Sequence, residues 1–160
     1  MSQSATIKIA PGATASENPD DPFRYIISVR GLCELTAKTG DLDQRFTPSP
    51  TAIEGMAGHL IVTSRRHPDY QTEIALTGEC GNIFVRGRAD GYDPDLNQIE
   101  EIKTYKGDLE RMPENHRALH WAQVKIYGWL LCQERGLAEI NHALVSYNVS
   151  PRNEIVLSEP

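Results

Sequence analysis

The chain has 160 residues, 39% of them hydrophobic and 24% charged, with a formal net charge of −6. That suits one folded domain with a real core rather than a disordered chain, and no apolar run approaches the length needed to span a bilayer. The acidic balance argues against tight, non-specific nucleic-acid binding by bulk electrostatics. The three cysteines, Cys33, Cys80 and Cys132, are odd in number and form no CxxC pair. This counts against a disulfide framework, a zinc knuckle or a four-cysteine iron–sulfur cluster, and favours buried or semi-buried free thiols.

Residues 1–22 are polar, with Pro11, Pro19, Pro22 and the pair Asp20–Asp21. They read as a flexible N-terminal segment with one short extended piece at ATIKIA, ahead of a domain over 23–160. No basic and then apolar leader is present, which places the protein in the cytoplasm. FRYIISV from Phe23 reads as a strand, RGLCELTAKTG as a short helix stopped by Gly40, and QRFTPSP as a loop. AIEGMAGHLIVTSRR follows a hydroxyl cap and carries Ile53, Met56, His59 or Leu60, and Val62 or Thr63 at helical spacing, with His59 in mid-helix. Beyond the HPDY turn come three strands, TEIALTG, NIFVRGRADGY and NQIEEIKTY, the last two joined by the turn cluster DPDLN and so paired as a hairpin. After the breaker RMPEN, HRALHWAQVKIYGWLLCQERG reads as a long helix ending at Gly136, followed by strands INHALVSYNVS and NEIVLSE. The expected class is α/β, a central mixed β-sheet flanked by α-helices.

Charges within the hairpin stand out. Carboxylates are costly to bury unless paired, hydrogen-bonded or holding a metal. Glu101 and Lys103 share one face of their strand, and Glu100 and Ile102 the other. The DPDLN turn brings Asp90 alongside, so Asp90 and Glu101 can converge at one end of the sheet. Two carboxylates so close force one to take a proton unless a cation sits between them. Hard oxygen ligands there suit Mg²⁺ or Mn²⁺. The plainer reading is a solvated hairpin edge with weak ion pairs to Arg88 or Lys103.

GRADG supplying the Asp and EIK supplying the (D/E)xK resemble the PD-(D/E)xK nuclease superfamily, with Ala89 in place of that family's Pro, which is often missing. The RecB-type branch adds a histidine on an upstream helix, matched by His59 in GHLIV, and a QxxxY, matched by Gln123 and Tyr127 in HWAQVKIYG. Gln123 and Tyr127 are one helical turn apart and share a face. The stretches VRGLCEL, EGMAGHL, EIKTYKGDLERMP and LHWAQVKIYG are similar to the N-terminal nuclease domain of bacterial DinG-type (XPD-like) DNA helicases, over roughly residues 24–158. No Walker A motif is present, so the chain carries no motor domain and reads as an excised domain or a free-standing relative. The CRISPR adaptation nucleases of the same branch are similar too, but carry a four-cysteine cluster that three cysteines cannot build.

The resemblance implies a restriction-endonuclease-like core and a divalent-metal-dependent DNA nuclease, acting in DNA repair or processing with a linked or partner helicase. His59, Asp90, Glu101 and the Ile102 carbonyl would hold Mg²⁺ or Mn²⁺, with no iron–sulfur cluster. Lys103 would orient water and stabilise the transition state, and Gln123 and Tyr127 would position Lys103 or the substrate phosphate. The rival reading is a catalytically weak nuclease-fold module that grips single- or double-stranded DNA and guides it for a helicase. Among neighbours, Glu73 is expected in a supporting or salt-bridge role, Arg30 at a phosphate or a strand end, His120 towards the cleft and His116 in solvent. Trp121 and Trp129 are expected in packing, and Arg65, Arg66 and His67 in a solvated turn that could meet a DNA backbone. Glu100 should point away from the cleft.

Overall fold

The computed structural model describes residues 13–15, 25–38, 40 and 49–160; ATIKIA and most of QRFTPSP lie outside these residues, as does the expected flexible segment except for Ala13–Ala15, which pair as a strand instead. The described elements are β1 (Ala13–Ala15), β2 (Tyr25–Ser28), α1 (Val29–Thr36), α2 (Ala52–Ser64), β3 (Gln71–Cys80), β4 (Ile83–Asp93), β5 (Gln98–Tyr105), α3 (Glu114–Arg135), β6 (Asn141–Asn148) and β7 (Asn153–Glu159). A 3₁₀ turn at Leu109–Arg111 precedes α3. The fold is α/β: the strands form one mixed sheet in the order β1-β2-β4-β5-β6-β7, with β3 also on β4. No helix among the described residues is long and apolar enough to cross a membrane.

Strand β4 organises the sheet. Along one edge it pairs antiparallel with β3, from Ile83 to Tyr92. Its other edge is shared. β2 pairs parallel with Ile83–Arg86, and β5 pairs antiparallel with Gly91–Asp93 only. Between these two partners the backbone of residues 87–90 faces a gap. The expected hairpin therefore forms for three rungs and then forks: β5 leaves β4 and continues beside β6 from Gln98 to Tyr105.

Helices cover both faces. α1 and α3 pack on one, over Val85, Ala89, Tyr92 and Ile99, with Val29, Val124, Leu130 and Leu131 fully buried. α3 stops where Gly136 adopts φ 64°, a left-handed cap whose N–H donates to the Cys132 carbonyl. α1 ends at Thr36, before the expected stop at Gly40, with Ala37 as its cap.

α2 covers the other face and starts from a capping box between Thr51 and Glu54. Its contact side differs from the expected one. Ile53, Met56 and Leu60 are 80%, 70% and 70% exposed, whereas Gly58 and Val62 are buried against Thr104, Ile102, Val145 and Tyr147. The helix lies so close to the sheet that a Cβ on Gly58 would clash with the Thr104 methyl and press on the Tyr147 ring. Small residues let the helix backbone approach, and this close approach outweighs burial of the larger side chains. Gly58→Val should therefore destabilise the protein by about 1–3 kcal/mol in urea titrations, as overpacking does. Ile53→Ser and Met56→Ser should stay within about 0.5 kcal/mol of the parent, as exposed positions do. Equal costs at all three positions would contradict this packing.

Candidate metal centre

The gap in β4's edge is where the predicted residues gather. Asp90 follows the last β4–β5 rung, Gly91–Glu100, so it would be next to pair with Glu101. Instead its carboxylate enters the fork, and Asp90 Oδ2 accepts the Ile102 N–H at 2.7 Å. A side chain thus replaces the backbone partner that β5 loses on parting from β4. From the α2 side, His59 Nδ1 lies 3.7 Å from Asp90 Oδ1. On β5, Glu101 Oε1 receives the Lys103 ammonium at 2.7 Å. Tyr127 of α3 packs against Gly87, where any Cβ would strike its ring, and its hydroxyl takes a hydrogen bond from the Arg88 backbone. A second backbone group of the gap is thereby satisfied by a side chain. Gln123, one turn earlier, is buried with its Oε1 unpartnered.

The electrostatics have one theme: negative charge held out of water. Burial raises Asp90 to about 6, helped by Glu73 and opposed by the Ile102 N–H and Lys103. Glu101 is raised by burial and by Asp90, against the pull of Lys103. Burial and Lys103 keep His59 neutral by lowering its pKa. Two hard carboxylates and a neutral imidazole form a donor set that fits a divalent cation, whose charge would offset both burial and repulsion. For Ile102, the contact present is its N–H on Asp90.

One observation favours another place. The His/Cys/Asp/Glu set among the described residues whose ligand atoms all lie within 4.8 Å of one another is His67, Asp93 and Asp95. Asp93 Oδ1, however, already accepts the N–H groups of Asp95 and Leu96 at 3.0 and 3.1 Å and meets His67 Nε2 at 3.0 Å. That is the closing device of the DPDLN turn, and Asp95 is exposed. At the fork, Lys103 holds Glu101, and a cation there would compete with that ammonium.

Glu73 falls between the Thr72–Gly91 and Ile74–Ala89 rungs, opposite Asp90, with φ 54°. The left-handed region is costly for a residue with a side chain. Glu73 pairs with Arg88 at 3.4 Å, and it lines a cleft of about 380 Å³ with Ala52, Gly55, Met56, His59 and Leu60. Met56 and Leu60 of the exposed α2 side thus wall a cleft that reaches His59. His120, pushed down to about 3 by burial and then by Lys103, His116 and Arg30, is neutral. His116 is not in free solvent as expected: its Nε2 is buried and unpartnered. Arg30 is exposed and paired with Glu34. Trp121 packs against the core, and Trp129 lies 38% exposed at its rim.

The turn after α2 is not solvated as expected. Arg66 is committed internally, its Nε 3.0 Å from Glu100 Oε2 and its Nη2 2.7 Å from Glu154 Oε1. Arg65 pairs with the same Glu154 and lies over the Tyr147 ring. Glu100 does point away from Glu101, but it is buried, not solvated, and also accepts from Tyr70 and Gln98. The missed signal was a buried-facing carboxylate with an arginine and a tyrosine at a nearby helix end.

The fold is similar to the crystal structure of SSO0001, with a TM-score of 0.51 and 26% identity over 70% of this chain. The chain spans about half of that protein, covering 54% of it. No family model matches the sequence, and no curated protein matches it.

A carboxylate raised in the native state disfavours folding above its unfolded pKa of about 3.9, and that penalty fades as pH falls through the native value. Asp90→Asn keeps an acceptor for the Ile102 N–H and removes the charge. In EDTA at pH 7.5 this variant should melt at a higher temperature than the parent, corresponding to about 1–3 kcal/mol. The difference should shrink as pH is lowered from 7.5 towards 5. A variant that melts lower throughout would mean that the Asp90 charge stabilises the metal-free fold.

Proposed function

We propose that the chain is a divalent-metal-dependent deoxyribonuclease domain of the PD-(D/E)xK superfamily, RecB-type branch, with a restriction-endonuclease-like core. The observation that carries this reading is the convergence, at the fork between β4 and β5, of Asp90, Glu101 and neutral His59 from three separate elements, with Lys103 on the Glu101 carboxylate. Asp90 and Glu101 with raised pKa values beside a histidine held neutral are the kind of perturbed set that gathers at functional sites.

His59, Asp90 and Glu101 would hold Mg²⁺ or Mn²⁺, which when bound supplies Lewis acidity to a phosphoryl group and lowers the pKa of a bound water. Lys103 then has its role through proximity. Freed from Glu101, its ammonium would be close enough to the fork to stabilise negative charge on the phosphate. Tyr127 and Gln123 keep α3 against the gap, and the unpartnered Gln123 Oε1 is an acceptor suited to orient the Lys103 ammonium. The 380 Å³ cleft along α2 gives the polynucleotide a route to His59, with apolar contacts that do not depend on net charge. An acidic domain of this kind is suited to act in the cytoplasm where a linked or partner helicase delivers the strand.

Purified protein with Mn²⁺ and labelled single- and double-stranded DNA tests this directly. Cleavage should be abolished by EDTA and should fall roughly a hundredfold or more in Asp90→Ala and Lys103→Ala, the scale seen when a transition-state contact is lost. DNA left intact in Mn²⁺ but shifted on a gel in Ca²⁺ would instead identify a binding module. Variants as active as the parent would place the chemistry elsewhere.

A further inference from the structure

The last rung that β4 and β5 share, Gly91–Glu100, immediately precedes Asp90 and Glu101. Whatever fixes that rung fixes where the strands part. On the α2 face it is covered by a buried polar cluster that the chemistry above does not use. Glu100 is 3% exposed and receives three donors: Arg66 Nε at 3.0 Å, the Tyr70 hydroxyl at 2.8 Å and Gln98 Nε2 at 3.0 Å. Arg66 also reaches Glu154 on β7 at 2.7 Å. Tyr70 lies so close over Gly91 that a Cβ there would coincide with its phenol. The cluster therefore grips both residues of the rung, Glu100 through its carboxylate and Gly91 through the Tyr70 ring. Because Arg66 directly follows Arg65, the C-cap of α2, the same cluster also ties the end of the helix that carries His59.

We propose that Tyr70, Glu100 and Arg66 are positioning residues for the candidate metal centre: they pin the Gly91–Glu100 rung so that Asp90 enters the fork and meets the Ile102 amide and His59. The proposal rests on the metal reading above. Its geometric premise, however, is a property of the metal-free protein. A buried ion pair is weak evidence of stability in itself, since well-packed apolar residues often serve as well. A second carboxylate one residue from the candidate ligands, fully satisfied and facing the opposite way, is instead a means of defining register. It leaves Glu101 as the β5 carboxylate turned to the fork, where Lys103 meets it. Tyr70 explains why position 91 is glycine: only a residue without Cβ admits the phenol that reaches Glu100.

The test separates positioning from mere stability. In Tyr70→Phe the ring stays and only the hydroxyl bond to Glu100 is lost, and in Glu100→Gln the charge alone is removed. Amide hydrogen exchange in EDTA reads the Asp90–Ile102 bond without metal, and calorimetric titration with Mn²⁺ reads the centre. Both variants should exchange the Ile102 amide at least tenfold faster than the parent, relative to Val145 on neighbouring β6, and bind Mn²⁺ at least tenfold more weakly. Leu76→Val, a core substitution on the opposite face, should lower the melting temperature and leave both readings unchanged. Unaltered Ile102 exchange in Tyr70→Phe and Glu100→Gln overturns the proposal, as does unaltered Mn²⁺ affinity. Parent protein that takes up no Mn²⁺ removes the metal reading itself, and with it the functional role of the cluster, even where Ile102 responds.

Discussion

The hydrogen bond from the Ile102 amide to the Asp90 carboxylate, 2.7 Å long, is the constraint on which the arrangement depends. Two strands that part inside a sheet leave backbone donors and acceptors with nowhere to go, and buried ones must find partners. β4 solves this by ending its pairing with β2 at Arg86, resuming with β5 at Gly91, and filling the interval with side chains. Asp90 and Tyr127 fill it from opposite directions, one from the strand and one from α3. A gap needed for chain geometry is thus also a polar pocket within the sheet, lined by charge that water cannot fully reach.

That pocket is costly when empty of positive charge. Asp90 raised to about 6, Glu101 raised by burial and by Asp90, and His59 lowered by burial are three groups in one small volume whose charged forms are all disfavoured. Lys103 relieves part of this by sitting on Glu101, which leaves the ligand atoms less tightly gathered than those of His67, Asp93 and Asp95. The two clusters differ in how far their charge is already satisfied. The tighter cluster is already satisfied by the N–H groups of its own turn, whereas the looser one holds charge that nothing in the chain fully balances.

Much of the architecture was legible in the sequence because it is written in local periodicity. The long helix of α3, the hairpin around DPDLN and the strand parity that separates Glu100 from Glu101 follow from spacings of four and two. The α2 packing was not legible. Its helical spacing pointed to Ile53, Met56, His59 or Leu60, and Val62 or Thr63; of the apolar ones only Val62 is buried, because the side chosen by the sheet is set by Gly58, whose lack of a side chain matters only once Thr104 and Tyr147 are opposite it. Nor could the sequence reveal that Arg66 turns inward to Glu100 and Glu154, because those partners lie 34 and 88 residues away. His59, Asp90, Glu101 and Lys103 were nameable by order along the chain. The fork that brings the first two to 3.7 Å is a property of two strands, β2 and β5, sharing one edge of β4, which no single stretch encodes.

Anomalous diffraction from crystals of the protein grown with Mn²⁺ tests the central claim most directly. The account predicts one strong Mn²⁺ peak at the fork, in contact with His59, Asp90 and Glu101, with the Lys103 ammonium displaced from Glu101. A peak confined to His67, Asp93 and Asp95, or a fork in which Lys103 still holds Glu101 at saturating Mn²⁺, would contradict it.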